Sequence, residues 1–291
     1  FSNYGTIRLD YELKNNSRIN VEGGYSNNGN EAFVFGLGRT LVKNTERPYF
    51  LAGYSSDNFY FHAHYMKRHT LDTMWLLLPK VGNKLGSPLL DNSNDILFDA
   101  QYNFYADRSQ KTQFVFGLSQ QLQNINTYGT SIPNEVNANY TGLYGQLTYK
   151  MNDRFKFVGT LRYDRASIHE SQLSPRGALV YSPVKEHQFR FTISRSFQRP
   201  NYSELFRLTP DAPAFANTPG PPKPALIGID KKVADSIKVI AGWNSSPNIN
   251  LNLDGTRAFA VGNENLNVEK NLGFELGYNG NYKNKLFLSV D

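Results

Sequence analysis

His62 and His64 stand two residues apart in the alternating run FYFHAHY (59–65), with His69 shortly beyond. A strand sends such a pair to one face, and imidazole is a common ligand for transition metals, so the two can hold a metal or an iron chelate. The plainer reading is a pair of neutral polar side chains on a wet surface, because no carboxylate or cysteine completes a local ligand set. We expect no resident metal. Arg162, Arg176 and Arg190 fall on the polar faces of three successive alternating segments, near Asp164. Such cations attract an anionic ligand, or form the ladder of paired charges that lines a wide barrel.

Chemistry beyond binding has little support. Ser203 and Glu204 are not set in a G-x-S-x-G elbow, and neither a phosphate-cradling G-x-x-x-x-G-K-[ST] loop nor an H-E-x-x-H zinc motif occurs. Gly36 to Gly38 (GLG) is too short for a dinucleotide fingerprint. The expectation is a protein that is not an enzyme and carries no cofactor.

The elements that position these residues are strands. Alternation of apolar and polar side chains marks twelve segments in six pairs: Ile7–Leu13 with Ile19–Val21, 49–54 with 59–65, 95–105 with 112–123, 139–150 with 155–165, 174–182 with 187–196, and 271–279 with 285–290. In the fifth segment Ile96, Phe98, Ala100, Tyr102 and Phe104 share one face while Asp99, Gln101 and Asn103 share the other. Short polar turns close the pairs, such as Ala106–Lys111 and Met151–Arg154, whereas most connections between pairs are long: 26–46, 67–94, 124–138 and 197–270, with 166–173 modest. Compact soluble domains usually connect elements with about 4 to 6 residues. Regular alternation of tight turns and long loops is the pattern of a membrane β-barrel, one face toward lipid and the other toward a wet lumen.

Strand length agrees, since a tilted membrane strand needs roughly 9 to 11 residues. Aromatic residues crowd the strand ends: Tyr49, Phe59, Tyr65, Phe104, Tyr105, Tyr140, Tyr149, Phe155, Tyr163 and Tyr181. They read as interfacial girdles or as ordinary aromatics of a soluble β-protein. No run reaches the 18 or so apolar residues of a membrane helix, and the mean hydropathy of −0.51 does not exclude a barrel, which hides its apolar half by alternation. The 291 residues carry a net charge of +6 and no cysteine; Lys and Arg are scattered rather than clustered, so nucleic acid is not an expected partner. One domain is expected over residues 1–291. The chain enters a strand almost at Phe1 and stops within another at Asp291, so we expect a fragment of a larger barrel with flanking strands.

The run SPRGALVYSP (174–183), followed by HQFRFTISRS (187–196), FQRP (197–200) and SELF (203–206), resembles the barrel segment of TonB-dependent outer-membrane receptors. So does GNENLNVEK (262–270) with FELGY (274–278), where Asn267-Val268-Glu269 stands in place of the family's Lys-Pro-Glu; Gly159–Asp164 is similar to the family's GLRYD strand. The resemblance covers about 139–290 well and the first half by pattern. It implies a 22-stranded barrel plugged by an N-terminal domain, with neither plug nor coupling box in this chain. It further implies an outer-membrane location in a Gram-negative bacterium and uptake of a scarce nutrient energised through TonB by an inner-membrane complex. Within the matched run, Arg199 and Tyr202 are candidate ligand-binding residues, while Arg199 and Glu204 match the motif where a structural role at the rim is implied.

The implied ligand is an iron chelate of the siderophore type, with cobalamin, haem or a glycan as alternatives. The long connections would then be the recognition surface; 209–224 is proline-rich, and Asp230–Ile240 is a candidate short helix. A passive diffusion channel shares the alternation, and a soluble or surface-displayed β-rich binding protein shares it too if a second sheet covers its apolar face.

Overall fold

A computed structural model describes residues 1–35, 38–70, 74–77, 88–213, 257–282 and 285–290. From the N-terminus, β1 (Ser2–Glu12) and β2 (Arg18–Asn28) form a hairpin, followed by the short β3 (Glu31–Phe35) and β4 (Gly38–Val42), then β5 (Thr45–Ser55) and β6 (Phe59–Lys67). The short β7 (Met74–Leu77) and β8 (Pro88–Leu89) precede an antiparallel meander of β9 (Asn94–Tyr105), β10 (Thr112–Ile125), β11 (Val136–Lys150), β12 (Phe155–Ala166), β13 (Gln172–Val184) and β14 (His187–Gln198). Helix α1 (Tyr202–Phe206), β15 (Leu208–Pro213), β16 (Arg257–Val261), β17 (Glu269–Tyr282) and β18 (Leu286–Val290) complete the described elements.

Twelve of these strands form one antiparallel sheet in the order β1-β2-β5-β6-β9-β10-β11-β12-β13-β14-β17-β18. Every expected segment is present and pairs with its neighbour in sequence, and the sheet is open, with β1 and β18 at its edges. The long connections are not simply loops. The 26–46 connection is largely the β3–β4 hairpin, to which β7 and β8 of the 67–94 connection add in a four-stranded sheet; 197–270 contributes α1 and the β15–β16 pair. Most of 209–224, apart from the strand ending at Pro213, and the Asp230–Ile240 helix lie outside the described residues.

The register keeps like faces together. Phe116 sits across from Tyr102 and Gly145, and Gly117 from Gln101 and Tyr144, so each face carries one kind of side chain across the strands. On the apolar face, Phe116, Leu143, Leu161 and Phe274 remain 51%, 53%, 50% and 64% exposed. No described element covers that face, so the soluble reading lacks its second sheet. Water contact there would cost about 25 cal/mol per Å², whereas hydrocarbon removes the penalty.

At the short-turn end an aromatic row crosses four strands: Phe155 stacks on Tyr181 at 4.7 Å, Tyr181 on Phe189 at 6.3 Å, and Phe189 meets Tyr278 at 4.9 Å. These are favourable ring separations. The row lies where a girdle is expected, but not every aromatic residue at the strand ends is on that face. Tyr49, Tyr105 and Tyr140 alternate onto the polar face, because their partners Gly24, Gln113 and Gln121 lie there.

The turns at this end are fixed by side chains that bond the backbone. Asp107 accepts from the amides of Lys111 and Thr112 at 3.0 and 2.7 Å and from the Ser109 hydroxyl. These bonds, led by the Ser109 hydroxyl, hold its carboxyl at about 2, below the usual range. Asn152 caps the Met151–Arg154 turn in the same way, accepting from the amides of Arg154 and Phe155.

Two tyrosines on the polar face lie over glycines of the neighbouring strand. A Cβ on Gly24 would come within 2.2 Å of the Tyr49 ring, and one on Gly117 within 2.0 Å of the Tyr144 ring. The absent side chains are what let the rings lie down. Gly117→Val should therefore expel the Tyr144 ring and cost about 1–3 kcal/mol, as overpacking does. We expect Gly117→Val/Tyr144→Ala to lose less than the two single changes summed, read from thermal loss of the heat-modifiable folded band on gels; strict additivity would refute the contact. A second expectation concerns acid. Because the folded carboxyl of Asp107 is depressed, its support of the turn is complete above an unfolded value of about 3.9 and is lost only as pH falls through about 2. Amide exchange at Lys111 and Thr112 should stay protected at pH 3; exchange that opens near pH 4 would contradict this.

Candidate functional site

The polar face gathers its chemistry near the loop end. A cavity of about 270 Å³ there is lined by Leu97, Asp99, Ser119, Gln121, Tyr140, Gly142, Arg162, Asp164, Arg165, His169, Phe197 and Arg199. Arg162 donates from Nε to both Asp164 oxygens at 2.9 Å and from Nη2 to Ser119 Oγ at 3.1 Å. Its guanidinium lies 5.6 Å from the Tyr144 ring centroid. Gly142 makes room for it, since a Cβ there would meet Nη2 at 2.2 Å.

Arg199 stacks on Tyr140, its Cζ 4.1 Å from the ring centroid. A hydroxyl chain follows: Tyr140 and Tyr202 are 2.9 Å apart at their hydroxyl oxygens, and Tyr202 donates to Gln123 Oε1 at 2.7 Å. Burial and the Tyr140 bond push the Tyr202 phenol well above its ordinary range. It therefore stays a neutral hydrogen-bonding group at any physiological pH.

Tyr202 is carried by α1, whose single turn is fixed by a reciprocal cap. The Asn201 side chain accepts from the Glu204 amide at 2.9 Å, and the Glu204 carboxylate accepts from the Asn201 amide at 2.8 Å. Leu205, 1% exposed, anchors the turn. The chain returning from β16 closes on it: the Gly262 amide bonds Arg207 O and the Asn263 amide bonds Glu204 O, both at 2.7 Å. Only glycine fits at 262, where a Cβ would meet the Leu205 carbonyl at 2.5 Å.

His62 and His64 do share the polar face, their rings 5.8 Å apart. A carboxylate is nevertheless at hand, contrary to the local sequence reading, because β9 supplies Asp95 to His64 Nε2 at 2.8 Å. The other Asp95 oxygen accepts from Gln121 at 2.8 Å. His69 stands apart, bonded to Asn92 at 3.0 Å. Among the described residues no group of three or more metal-capable side chains forms.

Arg176 and Arg190 do not share Asp164 with Arg162. Both approach Glu275 of β17 at 3.9 Å, with half-exposed side chains, an arrangement worth no more than about 1 kcal/mol. The structure thus brings Arg162, Arg199 and Tyr202 to one place and leaves Arg176 and Arg190 lower on the wall. Sequence reasoning missed Tyr140, His169, Phe197 and Glu275. Strand parity alone marks Tyr140 and Glu275 as polar-face residues, whereas nothing local to residues 169 or 197 signals that the Phe197 and His169 rings meet at 6.1 Å. Fixed guanidiniums, aromatic planes and neutral hydroxyls can bind a polar, anionic or aromatic ligand.

Tyr202→Phe removes the hydroxyl that joins α1 to the wall and should cost about 1 to 2 kcal/mol locally. Hydrogen exchange across 202–208 should speed roughly tenfold while exchange of β10 and β11 stays unchanged; equal protection in both proteins would show that the hydroxyl chain does not hold the helix.

Three comparisons bear on this arrangement. No curated protein matches the sequence. Among solved structures, the siderophore receptor PirA from Pseudomonas aeruginosa superposes with a TM-score of 0.64 at 16% identity, covering 97% of this chain and 43% of that one. PirA from Acinetobacter baumannii gives 0.67 at 13% (97% and 41%), and the alcaligin outer-membrane receptor FauA from Bordetella pertussis 0.54 at 14% (97% and 40%). The chain spans about two-fifths of the length of these structures, and at such identities they show the fold. The model of the family described as TonB dependent receptor-like, beta-barrel matches residues 2–291. The chain therefore belongs to the TonB-dependent receptor-like β-barrel family.

Proposed function

We propose that this chain is part of the wall of an outer-membrane receptor that binds a ferric siderophore at the loop end of its lumen and imports it by TonB-coupled gating. The carrying observation is the cavity in which Arg162 and Arg199 are held against tyrosine rings on the inward face of a barrel of this family. Siderophores present hard anionic oxygens and, in many cases, aromatic rings, which matches fixed cations beside π-faces. The similar structures are described as receptors for siderophores, ferric enterobactin and alcaligin, which supports the class without selecting a member.

In this reading the partners are outer-membrane lipid, the small ligand and, through TonB, the inner-membrane energy-coupling complex of a Gram-negative cell. Long connections at the same end, from the β3-β4-β7-β8 sheet to 197–270, complete the recognition surface. Arg176 and Arg190 lie deeper on the wall, and the His62–His64 pair stands beside Asp99 and Leu97 of the cavity itself, where a ligand would meet them.

The test is uptake of radiolabelled ferric siderophores by cells in which the gene encoding this chain is deleted, then restored in wild-type or Arg199→Ala form. Restored uptake should vanish with a protonophore, and Arg199→Ala should weaken binding by roughly tenfold, the scale of one desolvated cation–π contact. Uptake insensitive to the protonophore would mean a passive pore, and undiminished binding in Arg199→Ala would remove the cavity from recognition.

A further inference from the structure

Five residues of full charge line the luminal cavity: Asp99, Arg162, Asp164, Arg165 and Arg199. Arg162 and Asp164 neutralise each other at 2.7 Å. Arg165 borders the cavity but alternates with Asp164 along β12, so its side chain leaves on the opposite face of the sheet. One charge of each sign is left over. Neither Asp99 nor Arg199 has an ion pair or a hydrogen bond among the described residues.

Asp99 is half-buried. Across the strands it faces His62 of β6 and Ser119 of β10, and Leu97 and Gln101 flank it on its own strand. None of these bonds to it: His62 stacks on Tyr60 with ring centroids 6.4 Å apart, and the Ser119 oxygen accepts from Arg162. A carboxylate drawn partly out of water without a partner costs free energy. Arg199 lies nearer the loops, on the Tyr140 ring. Tyr140 is level with Gln121 and Leu97, two residues toward the loops from Asp99. At ordinary strand spacing and rise, Asp99 and Tyr140 stand roughly 12 Å apart at Cα. The cavity therefore presents a cation at its loop side and an anion further down the wall.

Building on the receptor reading, we propose that the ligand carries charge of both signs: anionic chelating oxygens that rest on Arg199, and a pendant primary amine that enters the cavity and pairs with Asp99. A purely anionic ligand would satisfy Arg199 and be repelled by the carboxylate, whereas a purely cationic one would do the reverse, so the pair of charges selects against both. Size agrees. The cavity holds about 270 Å³, below the roughly 300–1,000 Å³ of sites that take a whole small molecule. It suits one arm of a chelate, with the remainder lying toward the loops.

The test uses the full receptor with every domain the cell gives it, purified in detergent, and reads affinity by isothermal titration. The probes are a ferric tris-catecholate with one primary amine on a flexible arm and the same complex with that amine acetylated. Wild type should bind the amine form about tenfold more tightly, the scale of one charge-assisted hydrogen bond in a partly solvated site. Asp99→Asn keeps the side-chain shape and should bring the amine form down to the level of the acetylated one. Asp99→Glu should keep most of the preference, and Arg199→Ala should weaken both probes while leaving their ratio. Equal binding of the two probes by wild type, or a preference that survives Asp99→Asn, would overturn the assignment and leave the receptor reading standing. Binding of neither probe would overturn it as well, and the protonophore-sensitive uptake then decides whether the receptor reading falls with it.

Discussion

A backbone crossing hydrocarbon has no water to bond, so every amide and carbonyl there must find a partner in a neighbouring strand. Most else in this chain follows from that constraint. It forces twelve strands into one uninterrupted antiparallel order, confines irregular backbone to the two ends, and assigns the outer half of each strand to apolar side chains. Function is then left with two places, the inward face and the loop-end rim, and the candidate site lies where they meet.

Within that frame, position is set more by contact than by charge. The ion pairs on the inward wall are partly solvated, and exposed pairs of this kind add little stability. Orientation comes from packing: Arg162 fits against the gap at Gly142, Arg199 lies on Tyr140, and Tyr144 lies over Gly117. Arg162 meets Asp164 through both Nε and Nη2, which adds direction to the guanidinium. The consequence is a cavity whose cations are held in place by the surrounding wall.

The wall was legible in the sequence because its signal is local and periodic. Alternation located all twelve strands and put His62, His64, Arg162, Arg176 and Arg190 on the correct face. What escaped is non-local. Asp95 reaches His64 across a strand pair separated by 31 positions in sequence, and Glu275 meets Arg190 only because β17 joins β14 across the longest connection. Tyr49, Tyr105 and Tyr140 were assigned to a girdle by closeness to strand ends, when parity placed them on the polar face. Helix α1 is five residues long, too short for helical periodicity to show, yet its signature was present in the Asn201–Glu204 spacing of a capping box.

The two stretches that carried the family likeness turn out to touch: residues 201–207 and 262–263 are bonded to each other, with Leu208–Val261 and Thr209–Ala260 paired just beyond. The connection between them therefore leaves the rim and returns to it through one fastened stem. Closing a chain already pinned at both ends becomes only slowly more costly with length, about 0.6 kcal/mol for each doubling. Such a stem lets the intervening segment be lengthened, shortened or exchanged while the wall keeps its register, so that descent can preserve the barrel and vary the rim independently.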